Sequence, residues 1–219
     1  MRTMRTPKHI LEVGQFTRSE LEVLFDEAEH LERLEAYIGS RLMEGRIMAT
    51  LFYEPSTRTR LSFESAMIKL GGAILSVQNA SASSSAAKGE TIEDTIRMVQ
   101  NYADIIVLRH YEGGAAHRAA AVAAVPIINA GDGNREHPTQ ALLDLFTIRR
   151  ELGRIDRLSI GLIGDLIHGR AAHSLARCLM HFRDITLHLV APRELQLDLD
   201  TIEELRAGGL RVEQVQRLE

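Results

Sequence analysis

Short apolar runs alternate with helical stretches along almost the whole chain, and this alternation limits the fold more than any other feature. Ile47 to Phe52, Ala73 to Val77, Ile105 to Leu108 and Ile127 to Asn129 each read as a buried strand bounded by Gly, Pro or polar residues. Between them lie stretches with helical signals. Thr59 to Leu70 is stopped by Gly71-Gly72, and a second helix starts near Thr91 with Asp94 completing a capping pattern. An Ala-rich helix spans about 116 to 124, and another opens at His137 with Pro138 in its first turn and ends near Gly153. An earlier helix is capped at Thr17 with Glu20 three residues on; it faces a core with Leu21, Leu24, Phe25, Ala28, Leu31 and Leu34 and closes at Gly39. Strand and helix in strict alternation imply a parallel sheet with helices on both faces.

From Leu158 the pattern restarts: strand Leu158 to Ile163, a Gly-Asp turn, helix Gly169 to Phe182, strand Ile185 to Val190, helix Thr201 to Ala207 and part of a strand near Leu210. The expected architecture is therefore α/β, with two doubly wound parallel-sheet domains over residues 1–152 and 153–219. The second has too few elements for a comfortable core and is expected to be incomplete.

With 45% hydrophobic residues in 219, the chain can bury a sizeable core. A net charge of -4 and a pI near 6.2 leave no basic field for nucleic acid or an anionic membrane, so any anion must be caught locally. No run approaches the ~20 apolar residues of a spanning helix, and no apolar stretch follows Met1 to Pro7, which makes a cytoplasmic protein the expectation. The single Cys178 lies in an alternation of Leu, Ala and Met and reads as a core thiol. Nine histidines show no ligand-like pairing with Cys or carboxylates, so no metal is expected.

Chemistry concentrates where strands end. Ile47 to Phe52 runs into Glu54-Pro55-Ser56-Thr57-Arg58-Thr59-Arg60 and a helix, where unpaired N–H groups, hydroxyls and a planar guanidinium fork suit a phosphate. A lone Ser-Thr-Arg triplet is more often a capped helix with surface arginines, and the Lys of a glycine-rich phosphate loop is missing. The next strand delivers Arg109, and a third leads to His137 and Gln140 in one helical turn, where His137 reads equally well as a capping contact. Three strand ends loaded with donors, without a nucleophile and base pair, suit a site that binds an anion and polarises a carbonyl. The fourth, Gly164-Asp165 to Gly169-Arg170, lacks the glycine spacing of a dinucleotide site, while Arg170 suits a carboxylate. Asn79 to Ala87 has no apolar periodicity and reads as a long exposed loop within a domain, which is more often functional than idle.

Taken together, Phe52 to Arg60, Lys88-Gly89-Glu90-Thr91 and His137-Pro138-Thr139-Gln140 resemble the carbamoyl-phosphate signatures of the aspartate and ornithine carbamoyltransferases. Gly164-Asp165 through Arg170 is similar to the start of that family's aspartate-binding domain. Thr139, where ornithine enzymes would carry Cys, and the Lys88 loop favour aspartate as acceptor. The resemblance implies cofactor-free transfer of the carbamoyl group of carbamoyl phosphate to the amine of L-aspartate in de novo pyrimidine synthesis. By the same resemblance, Ser56, Thr57, Arg58 and Thr59 hold the phosphate, and Thr59, Arg109 and His137 donate to the carbamoyl oxygen. Gln140 orients the carbamoyl nitrogen, and Arg170 meets an aspartate carboxylate. Ser84 and Lys88 would reach the phosphate of the neighbouring subunit in a homotrimer with shared active sites, an assembly open to regulatory or other pathway subunits. Family chains continue well past the position of Glu219, so a C-terminally truncated member is expected, with turnover by this stretch alone in question. The alternatives are a noncatalytic carbamoyl-phosphate-binding or interaction module, and transfer to ornithine.

Overall fold

The computed structural model describes residues 9–35, 41–78, 89–133 and 136–216. The chain forms two compact units, the first of Met1–Leu11 and Glu22–Gly133, the second of Glu12–Leu21 and Asn134–Glu219. Both are parallel α/β sheets, as the alternation requires.

In the first unit the strands are β1 (Ile47–Phe52), β2 (Ala73–Gln78), β3 (Ile105–His110) and β4 (Ile127–Asp132), in the order β2-β1-β3-β4. Helix α1 (Arg18–Glu35) precedes β1, α2 (Thr57–Lys69) links β1 to β2, α3 (Ile92–Val99) precedes β3, and α4 (Ala115–Val122) links β3 to β4. Successive strand residues point to opposite faces. Ala49, Leu51 and Tyr53 pack with Ile92, Ile96 and Val99 of α3 and Ala119 of α4. Met48, Phe52, Val107 and Ala130 meet Met67 of α2. The sheet is thus covered on both sides, which explains why its strands are nearly continuous in apolar residues.

Three boundaries that bear on the candidate site differ from the sequence reading. α2 begins at Thr57 rather than Thr59, with Ser56 in extended conformation at its N-cap, so Thr57, Arg58 and Thr59 form the first turn. β3 and β4 run on to His110 and Asp132 because the ladder continues past a bulge and pairs those two residues. Arg109 therefore lies within a strand, not beyond it.

The second unit holds β5 (Ser159–Ile163), β6 (Thr186–Val190) and β7 (Arg211–Val215) in sequential parallel order, with α5 (Pro138–Leu152), α6 (Arg170–Leu179) and α7 (Leu199–Ala207). Ile185, Leu187, Leu189, Leu179, Ile202 and Leu205 are among its fully buried side chains. α1 starts here with the expected capping box: Glu20 N–H donates to Thr17 Oγ1 at 3.3 Å and Thr17 N–H to Glu20 Oε2 at 2.7 Å. Arg18 then grips Asp156 with two hydrogen bonds of 2.8 and 2.6 Å. Gly153 caps α5 at φ 69, a left-handed conformation that suits glycine. α5 lies against α6 and falls in the second compact unit. Its apolar residues, Ala141 and Leu145, say that a face is buried but not against what. Among the described residues no helix is long and apolar enough to cross a membrane.

Candidate functional site

The chain leaves β1 to one side to form β2 and crosses to the other side to form β3. In open parallel sheets a crevice opens at such a switch point, beyond the carboxyl ends of the two diverging strands. Phe52, the last residue of β1, is the register partner of Arg109 on β3, and Tyr53 N–H donates to Arg109 O at 2.9 Å. From there Glu54 and Pro55 lead into α2. Ser56 makes no side-chain cap bond, and the first-turn N–H groups have no partner inside the helix, so this end carries positive partial charge. Ser56 and Thr59 are half-buried, while Thr57 and Arg58 are exposed.

Arg109 is 8% exposed. Its Nη1 donates to Ala130 O at 3.2 Å, and its Nη2 stands 3.1 Å from Glu54 Oε2. A guanidinium so held presents a planar donor fork in a fixed direction. Beside it, His110 is buried between Tyr53 and Tyr111, with ring centroids 4.7 and 4.4 Å away. Its Nδ1 accepts from Glu112 N–H at 3.0 Å, which places the proton of the neutral ring on Nε2. Burial pushes its pKa below the ordinary imidazole value. The chain turns away through Gly133, whose N–H donates to His110 O at 2.8 Å; a Cβ there would lie 2.6 Å from Gly113 N.

The second unit carries the other candidates. His137 is the N-cap of α5 and 7% exposed. Its N–H donates to Ser174 Oγ at 3.0 Å, and that hydroxyl donates to Glu136 Oε2 at 2.6 Å. Its ring Nδ1 is 3.5 Å from Thr139 Oγ1. Gln140 uses its Nε2 on Asp144 Oδ1 at 2.9 Å; burial raises the pKa of Asp144, and the Gln140 bond works against that rise. Arg170 is the first residue of α6 and half-buried. The preceding Gly169 is required by close approach, since a Cβ there would meet Asp165 O at 2.6 Å. A cavity of about 570 Å³ in this unit is lined by Glu136, His173, Arg177, Asp198 and Glu204 among others, and by none of the side chains assigned a substrate contact from the sequence.

Ser56, Thr57, Arg58, Thr59 and Arg109 thus fall in the first unit and His137, Gln140 and Arg170 in the second. Ser84 and Lys88 lie outside the described residues. Sequence reasoning missed the carboxylate of Glu54 beside Arg109, the Ser174 hydroxyl under His137 and the Asp144 partner of Gln140. Only the last had a local signal, the spacing of four along a helix.

Fold and strand ends together describe a doubly wound α/β protein with hydrogen-bond donors gathered at its sheet's switch point. Residues 8–150 match the model of the carbamoyl-phosphate-binding domain of aspartate/ornithine carbamoyltransferases. The chain belongs to the aspartate/ornithine carbamoyltransferase family. It is 53% identical over 206 residues to the chloroplastic aspartate carbamoyltransferase 1 of Pisum sativum, a match covering 94% of this chain and 53% of that protein. With the aspartate carbamoyltransferase catalytic subunit of Thermococcus gammatolerans it shares 50% over 213 residues, 97% of this chain and 68% of the relative. Among solved structures, the catalytic subunit of M. jannaschii aspartate transcarbamoylase superposes with a TM-score of 0.90 at 48% identity, covering 96% of this chain and 69% of that one. The Trypanosoma cruzi aspartate transcarbamoylase in complex with carbamoyl phosphate and aspartate gives 0.91 at 42%, covering 97% and 67%. The chain spans about half the length of the plant relatives it matches.

Proposed function

We propose that this chain is the carbamoyl-phosphate-binding part, residues 1–152, and the beginning of the acceptor-binding part, residues 153–219, of an aspartate carbamoyltransferase. The observation that carries the reading is Arg109, fixed at the switch point as the register partner of the residue where β1 ends and the α2 cradle begins. The aspartate carbamoyltransferases among its relatives and the Trypanosoma cruzi complex with both substrates support the choice of substrates.

In this reading Ser56, Thr57, Arg58 and Thr59 hold the phosphate, and Thr59, Arg109 and His137 donate to the carbamoyl oxygen. Gln140 orients the carbamoyl nitrogen and Arg170 takes an aspartate carboxylate. The amine of L-aspartate attacks the carbonyl carbon; the C–N bond forms, the C–O bond to phosphate breaks, and the amine's proton leaves with the phosphate. The tetrahedral oxyanion is where preorganised donors act, each worth roughly 3 kcal/mol of barrier. Holding both substrates in register contributes ~7–11 kcal/mol. No cofactor takes part. The reading includes a homotrimer in which Ser84 and Lys88 serve the neighbouring subunit, and a place in pyrimidine synthesis. It also includes the cytoplasm as compartment, although plant relatives carry the name chloroplastic, so cell fractionation decides that point.

The test is to supply this chain, fused to the C-terminal remainder of a full-length relative, with carbamoyl phosphate and either L-aspartate or L-ornithine and to measure the carbamoylated product, with calorimetry of carbamoyl phosphate alone alongside. Carbamoyl aspartate is expected. Product with ornithine reassigns the acceptor, binding without product assigns a binding module, and no binding overturns the reading.

A further inference from the structure

β1 is apolar on the α2 side except at one place. Thr50 is 0% exposed there, between Met48 and Phe52, which pack against Met67 of α2. A buried hydroxyl needs a partner. It finds Glu64 of α2, itself 8% exposed, at 3.0 Å from Oγ1 to Oε1. Ser76, the register partner of Thr50 on β2, donates to the same Oε1 at 2.6 Å. Arg60, one helical turn before Glu64, brings Nη1 to 3.8 Å from that oxygen and 3.4 Å from Ser76 Oγ. One carboxylate oxygen therefore gathers two strands and a guanidinium of its own helix.

Apolar packing would hold α2 on the sheet at lower cost, since buried carboxylates are often no better for stability than hydrophobic residues of the same volume. What hydrogen bonds add is direction. The contact through Met67 resists separation but only weakly resists rotation of the helix about its axis, because burial is non-directional. Two hydroxyls fixed on neighbouring strands allow Glu64 one azimuth. Thr57 lies seven residues before it, two turns up the same face and about 10 Å along the axis. Fixing the one aims the other.

We propose that Glu64 is a positioning residue: with Thr50, Ser76 and Arg60 it sets the rotation of α2, and so the direction in which Thr57, Thr59 and the first-turn N–H groups meet a phosphate. This rests on the reading of that turn as a phosphate cradle.

The experiment titrates inorganic phosphate calorimetrically into the unaltered chain and into Glu64→Ala, Glu64→Gln and Met67→Ala, with a melting curve for each. Glu64→Ala should bind about tenfold more weakly, the scale of loss expected for a donor set turned out of line. Glu64→Gln, whose Oε1 still accepts both hydroxyls, should stay within about threefold. Met67→Ala should lower the melting temperature yet stay within about twofold in affinity, because it loosens packing without releasing the azimuth. Unchanged affinity in Glu64→Ala, or an equal loss in Met67→Ala, overturns the proposal while the cradle stands. If the unaltered chain binds no phosphate, the cradle itself falls and the proposal with it. Should Glu64→Ala not fold, Thr50→Val combined with Ser76→Ala carries the test, with weakening of about threefold expected and unchanged affinity overturning it.

Discussion

Arg109 Nη2 stands 3.1 Å from Glu54 Oε2, and the backbone carbonyl of Arg109 receives the N–H of Tyr53, so side chain and main chain both tie β3 to the exit of β1. A lysine at 109 would keep the charge but lose the fork that also reaches Ala130 O. In this chain fused to the C-terminal remainder of a full-length relative, Arg109→Lys should slow carbamoyl transfer about 10²-fold. Phosphate affinity should change by less than about threefold, since the residue is assigned to the carbonyl. Steady-state rates beside phosphate titration read both; an unchanged rate removes Arg109 from the reaction.

Arg58 and Arg170 should separate the two ligands. Arg58→Ala is expected to lower carbamoyl-phosphate affinity by at least about tenfold, because a charge-assisted fork is lost at an exposed first turn. Arg170→Ala should leave that affinity alone and raise the aspartate concentration needed for half-maximal rate. Calorimetry and acceptor titration in the fused chain check this, and equal weakening of both ligands by either change contradicts it.

Stability should fall as pH drops from neutral through about 6.5, the ordinary pKa of a histidine such as His110. Burial lowers the folded value, so the unfolded chain takes up the proton first. The stabilising term is then complete above about 6.5 and is lost as pH falls toward the folded value. His181 is shifted the same way by burial. His110→Gln should flatten part of the decline in urea midpoint, leaving the share of His181. A parent midpoint flat over this range would show that neither ring is held neutral. Asp104, Asp156 and Asp198 are shifted down, chiefly by the Ile47 N–H, the Arg18 side chain and the Thr201 N–H respectively. Their contribution is present above about 3.9 and is lost only below it.

Cys178 is buried on α6, and burial pushes its thiol up to about 12. At pH 8 the folded chain should resist iodoacetamide and take up one equivalent in guanidinium chloride, as read by intact mass, this being the only cysteine. Rapid labelling of folded protein would mean that α6 opens readily.

For the shared-site trimer, Lys88→Ala and Arg58→Ala subunits of the fused chain, each inactive alone, should regain activity when mixed. In a ring, an intact Lys88 from one chain can then meet an intact Arg58 of the next. Hybrids of verified composition that stay inactive place the Lys88 loop in its own chain or outside the reaction.

The strands were legible because apolar runs between breakers have few other folds. The capping box at Thr17 and the side-chain cap at Thr91 were legible because they are local. The candidate residues were recognisable by type at strand ends, but their partners were not. Glu54 and Arg109 belong to different strand ends, and only the register of β1 on β3 makes them neighbours. Thr50 stood as the one polar residue in an apolar run, and Arg60 and Glu64 had the spacing of a helical ion pair. Nothing local said that the three met on one oxygen together with Ser76. That α5 packs against α6 was not legible either, because the partner of a helix is decided by packing that one segment cannot encode.

The order β2-β1-β3-β4 also bears on how such a site could diversify. The segments that part at the switch point, after Phe52 and after His110, lead to separate helices, so either can be lengthened or rebuilt without dragging the other. The opening between them is a property of the route the chain takes, and it persists whatever residues line it. A descendant that recognised a different phosphorylated ligand would inherit the gap and need to rewrite only its walls.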